Sequence, residues 1–467
     1  MESPKMRDFW RVTMRNAGMR TENYAKTPAG SLHEICPIAE TLLAKTGVIL
    51  NPCPSSMVNG SRLLRICAVR WCIRLALVCV TTAVGAPAQM EKADLFEAGA
   101  SGIQLYRIPG MVVTAKGVVL AYCEARKGSA DWGEIEIYLR RSQDGGRTWE
   151  PARKIAHRGE RLPRNPVALA RNLGKPGDQT VNNPLAIADR SGAVHFLYCV
   201  EYQHCFYQRS DDDGANFSAP VEITSAAVGI RGTYDWKIIA TGPGHGIQLR
   251  RGRLLAPVWL STGEKVHHPS VVTTLFSDDS GRNWHTGGIA VPGTDEWPNP
   301  NESELVELAD GRVMLNARNE SAAHRRLVAL SADGATEWSR PRFERDLLEP
   351  VCMGSIARFS TGRDGGKNRL LFANPDNLHR ADGKPALGRD RKNLSVKLSY
   401  DEGVTWPMNK VLEPGGSAYS DLAVLRDGTI LCFYERGGEN AKPDASTGRL
   451  TLARFNLEWL TNGQDSP

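Results

Sequence analysis

The chain is expected to be all-β: a propeller of repeated four-stranded antiparallel blades. Three observations lead there. One eight-residue phrase recurs along the chain, six apolar runs each follow a Gly or turn residue, and long amphipathic helical windows are scarce between Glu91 and Pro467. Short strands with regular turns over a long chain favour radial repetition of small sheets.

The phrase is Ser-x-Asp-x-Gly-x-x-aromatic. It reads SQDGGRTW from Ser142, SDDDGANF from Ser210, SDDSGRNW from Ser277 and SYDEGVTW from Ser399, with a worn copy, SADGATEW, from Ser331. Asp and Ser before Gly are turn formers: a short polar side chain bonds its own backbone, and Gly accepts a positive φ. The final aromatic can pack beneath the turn. Five Asp-based metal or sugar sites are the functional alternative. One enzyme rarely needs five equal sites, and a calcium loop requires more acidic ligands at alternate positions. The phrase therefore reads as scaffold.

The apolar runs are GVVLAYCEAR from Gly117, GAVHFLYCVEY from Gly192, GRLLAPVWL from Gly252, GRVMLNAR from Gly311, KNRLLFANP from Lys367 and GTILCFYER from Gly428. Each is bulky and often β-branched, as strands require. A last run, RLTLARFNL from Arg449, is placed to pair with the start of the domain and close a ring.

Three segments are expected. Residues 57–88 read as a secretory signal: Arg65, Arg70 and Arg74 precede an apolar run from Leu75 to Val84, and Ala86-Pro87-Ala88 forms a small-residue cleavage site. Residues 1–56 read as an upstream extension from a misassigned start, with Met57 as the true start. Residues 89–467 form the propeller domain, secreted or periplasmic and monomeric. The apolar run is short for a membrane span. The net charge of +6 resides in the leader, where residues 1–88 hold 11 Lys/Arg against 5 Asp/Glu, leaving 47 of each beyond. The domain has no basic balance to draw it to nucleic acid. Its five cysteines, Cys123, Cys199, Cys205, Cys352 and Cys432, are too few and odd in number for a disulfide framework. Cys199 and Cys205 could pair across a turn. No Cys/His spacing indicates zinc, and no metal or other cofactor is expected.

LYRIPGMVV, from Leu105, sets Arg107 between apolar residues. A buried guanidinium needs an acidic partner or an anionic ligand, and the stretch alone leaves both open. Tyr-Arg-Ile-Pro followed in order by several Ser-x-Asp-x-Gly-x-x-Trp phrases resembles the exo-sialidase (neuraminidase) family over roughly residues 96–460. The resemblance implies a six-bladed propeller, with the phrases, known as Asp boxes, on blade turns away from the active site. It implies a glycoside hydrolase releasing terminal α-linked sialic acid from glycoproteins, glycolipids or oligosaccharides.

It also implies roles. Arg107, Arg318 (closing GRVMLNAR) and Arg391 (in RKNLSVKLSYDEG) resemble the three arginines that grip the substrate carboxylate, with Arg389 the competitor for the third place. A planar guanidinium fork meets a carboxylate bidentately and keeps its charge. Asp131, in GSADWGE, resembles the acid; Glu124 and Arg126, in YCEARKG, match residues at the same mouth, Glu124 placed to orient Arg107. Tyr419, in GGSAYSDLAV, resembles the nucleophile and Glu302, in NPNESELVEL, its activating base, with Glu304 as rival. A neutral phenol avoids the repulsion that a carboxylate nucleophile would meet at an anomeric carbon bearing a carboxylate. ATGPGHGIQL, from Ala240, and QTVNNPLAI, from Gln179, resemble stretches near the cleft. A sialic-acid-binding lectin, a glycosidase for a related nonulosonic acid and a trans-sialidase are the alternatives.

Overall fold

The computed structural model describes residues 89–156, 159–362, 366–438 and 445–467. The leader assignments, on residues 1–56 and 57–88, lie outside them. The described chain is all-β, with five sheets of four to seven strands. In the first, Leu105–Val113, Val119–Arg126, Ile135–Ser142 and Arg153–Lys154 follow in sequence order. The next three repeat this plan with first strands Val181–Ala188, Ile238–Thr241 and Ser303–Glu307. The seven-stranded sheet is two such groups sharing one strand. Met408–Val424 pairs with Lys392–Ser399 through its first half and with Ile430–Arg436 through its second. Its outer edge is Met90–Glu97, antiparallel to Arg449–Phe455, so the start of the domain pairs with its last strand as expected.

The six apolar runs supply the second strand of each group: Val119–Arg126, Val194–Val200, Leu254–Ser261, Val313–Ala317, Arg369–Pro375 and Ile430–Arg436. These strands have neighbours on both sides and are almost wholly buried, which is why they read as continuous apolar runs rather than alternating ones.

All five phrases join the third strand of a group to its fourth. In the first, the Ser142 hydroxyl accepts from Gly146 N–H and donates to Asp144, both at 2.8 Å, and Asp144 accepts from Thr148 N–H at 2.9 Å. Equivalent bonds recur around Asp212, Asp279, Asp333 and Asp401. Gly146 is required twice over: its φ is +84°, and a Cβ would lie 2.9 Å from the Leu452 side chain. These turns lie away from the polar cavity described next, so their carboxylates build scaffold.

Candidate active site

The polar cavity, about 280 Å³, opens where the first strands of several sheets converge, and its wall is mostly polar. It gathers every candidate residue: Arg107, Glu124, Arg126, Asp131, Glu302, Arg318, Arg391 and Tyr419. Asn183, from QTVNNPLAI, joins them.

Arg107 is aimed by its backbone. Register slips between Arg107 and Gly110, and Ile108 takes φ +61°, costly for a β-branched residue. Glu435 holds this bulge, accepting from Ile108 N–H at 2.9 Å and from Arg107 Nε and Nη2 at 3.0 Å each. The expectation that Glu124 orients Arg107 is thus corrected. Glu124 Oε2 is taken by Arg126, at 2.8 Å from Nε and 2.6 Å from Nη2, and Oε1 accepts from Asn183 N–H at 2.8 Å. Glu435 was missed because it lies on a strand 328 residues away, in GTILCFYER, a run that reads simply as core.

Tyr419 is buried at the cavity floor. Its hydroxyl donates to Glu302, 2.5 Å from Oε1 and 2.7 Å from Oε2, and accepts from Arg318 Nη1 at 2.8 Å. Arg318 also bonds Glu302 Oε2 at 2.5 Å. Arg107 and Arg391 lie over the Tyr419 ring, at 5.1 and 5.3 Å from its centroid. Burial, then the Glu302 charge, raises the Tyr419 pKa far above that of a free phenol; Arg318, Arg391 and Arg107 oppose this. The phenol is therefore neutral, with its hydroxyl hydrogen-bonded to the Glu302 carboxylate.

The rivals separate clearly. Arg389 donates to the carbonyls of Ala386, Leu387 and Gly388 and contacts His324 at 2.7 Å, whereas Arg391 lines the cavity. Glu304 lies below, accepting from Ile356 N–H at 2.9 Å, while Glu302 meets the phenol. ATGPGHGIQL lies beside the cavity rather than in its wall: Thr241 Oγ1 donates to the carbonyl of Asn183 at 2.5 Å, while His245 and Gly246 line a separate cavity of about 410 Å³ and Tyr122 Oη donates to the Gly244 carbonyl at 2.7 Å.

Asp131, with a half-exposed side chain, accepts from Arg126 Nη1 at 2.7 Å. Burial pushes its carboxyl up, but the Arg126 guanidinium wins and holds it below the usual range. Beside it lies an aromatic wall that sequence reasoning missed: Tyr202, Trp259 and His267. Trp132 stacks on His267 and donates Nε1–H to its Nε2 at 3.0 Å. Burial lowers the His267 pKa to about 4, so the ring is neutral with its proton on Nδ1. The adjacent pair His267-His268 before Pro269 was the available signal.

Among the described residues, His245, Glu304 and Asp421 bring one ligand atom each within 4.8 Å of one another. Asp421 Oδ1 already faces three donors: His245 Nδ1 at 2.6 Å, Ser355 Oγ at 3.1 Å and Leu422 N–H at 2.9 Å. That pattern fits a shared proton better than a metal.

Repeated four-stranded antiparallel groups and an arginine-lined, carboxylate-bearing cavity define a β-repeat protein with one concentrated polar site. Residues 133–432 match the BNR repeat-like domain. A sialidase of Micromonospora viridifaciens is 30% identical over 426 residues, covering 85% of this chain and 61% of the relative, and one of Bacteroides fragilis is 30% identical over 361 residues, covering 72% and 61%. Among solved structures, a Hadza microbial sialidase superposes with a TM-score of 0.63 at 26% identity, covering 79% of this chain and 69% of that one. The chain belongs to the BNR-repeat (Asp-box) sialidase family. It spans about three fifths of the length of these two curated relatives.

Proposed function

We propose that the chain is a retaining exo-α-sialidase, a glycoside hydrolase acting on terminal α-linked sialic acid of glycoproteins, glycolipids or oligosaccharides. In this reading the six four-stranded groups close into a six-bladed propeller with the cavity at its axis, and the enzyme is exported and acts as a monomer. One observation carries it: the Tyr419 hydroxyl held by both Glu302 oxygens at 2.5 and 2.7 Å, beneath Arg107, Arg318 and Arg391.

The three guanidinium groups take the substrate carboxylate and place the anomeric carbon over Tyr419. Arg107 and Arg318 each have a carboxylate partner, which offsets their mutual repulsion before substrate arrives. Tyr419 attacks as its proton passes to Glu302, and Asp131 protonates the departing glycosidic oxygen. Asp131 must be protonated for that step. The bound glycan covers it and strengthens the burial effect, which works against the lowering by Arg126. Water, deprotonated by Asp131, then displaces the tyrosyl oxygen, and two inversions give retention.

The test is a fluorinated sialoside that slows release of the intermediate, followed by peptide mass spectrometry. The expected adduct lies on Tyr419. An adduct elsewhere, or full turnover by Tyr419→Phe, rejects the mechanism. Binding without turnover of any linkage-defined sialoside supports the lectin; transfer to added lactose in preference to water supports a trans-sialidase.

A further inference from the structure

Cys199 and Cys205 stand directly opposite one another on the antiparallel strands Val194–Val200 and His204–Ser210. Cys205 N–H donates to Thr224 Oγ1 and its carbonyl accepts from Ile223 N–H, both on the side away from Cys199. The two residues therefore form a non-hydrogen-bonded pair, the kind with the shorter Cα separation, about 4.5 Å, and the closer side chains. That spacing falls inside the range a disulfide spans, about 4.4–6.8 Å. Both side chains are fully buried in one core cluster, each as a free thiol. Cys123, Cys432 and Cys352 lie in three other clusters.

The turn just beyond this pair is strained. Glu201 and Tyr202 take φ +57° and +48°, closed by a 3.1 Å bond from Gln203 N–H to the Val200 carbonyl. Such turns favour Asn and Gly, and neither residue is one. The strained turn presents Tyr202 to the wall of the polar cavity.

We propose that Cys199 and Cys205 close a cross-strand disulfide when the chain folds in the presence of a disulfide oxidant, clamping the hairpin that carries Tyr202. Two exchanges are involved. One thiolate attacks the oxidant, a low-molecular-weight or enzyme-borne disulfide, giving a mixed disulfide and one released thiol. The second thiolate then attacks the mixed disulfide, expelling the other oxidant thiol. The two cysteines lose two protons and two electrons, and the oxidant is reduced to two thiols. The bond forms before the hairpin is covered, since both sulfurs are inaccessible once the sheets pack.

The test uses the full chain expressed in an oxidising compartment, acid-quenched, unfolded in guanidinium with one alkylating label, then reduced and given a heavier one. Peptide mass spectrometry should find the heavier label on Cys199 and Cys205 and the first label on Cys123, Cys352 and Cys432. The first label on Cys199 and Cys205 overturns the proposal. Thermal unfolding gives an independent reading. Wild type refolded from guanidinium with reductant should have a Tm lower, by an amount on the order of a few °C, than wild type refolded with a disulfide oxidant, and a Cys199→Ala/Cys205→Ala variant should show no such difference. A wild-type Tm indifferent to the redox condition of refolding also overturns it.

Discussion

Arg107 and Glu435, 328 residues apart in sequence, form a two-point ion pair with both contacts at 3.0 Å, and the Glu435 side chain has no exposure to solvent. Removing one partner of a buried pair strands the other's charge. Glu435→Ala should therefore cost about 3–5 kcal/mol of stability and release the Ile108 bulge that aims Arg107. Guanidinium denaturation checks this, and a loss within experimental error would deny Glu435 its structural part. Glu435→Gln, which keeps an acceptor, should lose less.

Arg391 and Arg389 make opposite predictions. Arg391 faces the cavity, and Arg389 is tied to three loop carbonyls. Arg391→Ala should weaken binding of a sialic acid analogue by about 2–5 kcal/mol, the usual cost of truncating one side of a desolvated charge pair. Arg389→Ala should leave affinity nearly unchanged. Isothermal titration calorimetry measures both, and the reverse order would exchange their roles.

Glu302 touches the phenolic proton; Glu304 does not. Glu302→Gln should lower kcat by about 10²–10⁴-fold, the range for a positioned base. Asp131→Asn should be selective: severe for natural glycosides, mild for an aryl sialoside whose leaving group needs no proton. Equal losses on both substrates would remove Asp131 from the acid role.

The Asp-box turns should matter for stability alone. Ser210 is buried, donates to Asp212 at 2.8 Å and accepts from Gly214 N–H at 2.9 Å. Ser210→Ala should cost about 1–3 kcal/mol by leaving a buried amide without its acceptor. Its kcat/KM should match wild type, and a large fall in that ratio at unchanged stability would contradict the scaffold reading.

Stability should also fall at alkaline pH because of His245. Burial alone would lower its pKa, but the facing carboxylates Glu304 and Asp421 win and raise it to about 9. Two of the titratable groups facing it are themselves displaced: Tyr122, whose hydroxyl bonds the neighbouring Gly244 carbonyl and which burial keeps protonated, and Glu304, whose carboxyl burial pushes well above the usual range against the lowering by His245. The folded chain therefore holds a proton that the unfolded chain releases near pH 6.5. The stabilisation is complete below about pH 6.5 and disappears as pH rises through about 9. Urea titrations at pH 6 and 9.5 should show this decline in wild type and flatten it in His245→Gln.

Local chemistry was legible in the sequence because its causes are local. The Asp-box turns close through bonds spanning two to four residues, and the six second strands are buried on both faces, so turn residues and apolar runs announce them. The motif matches likewise brought Arg107, Arg318, Arg391, Asp131, Glu302 and Tyr419 to one cavity. Tertiary structure decided which charges pair. The chain holds 52 acidic residues, and nothing around Arg107 singles out Glu435 over Glu124, its register partner. That choice depends on the bulge at Ile108, on Arg126 and the Asn183 amide occupying Glu124, and on which strand packs alongside. The same holds for the aromatic wall of Tyr202, Trp259 and His267 and for the placement of His245 beneath the site. Each arises from contacts between residues distant in sequence, set by sheet register and packing rather than by the residues' immediate neighbours.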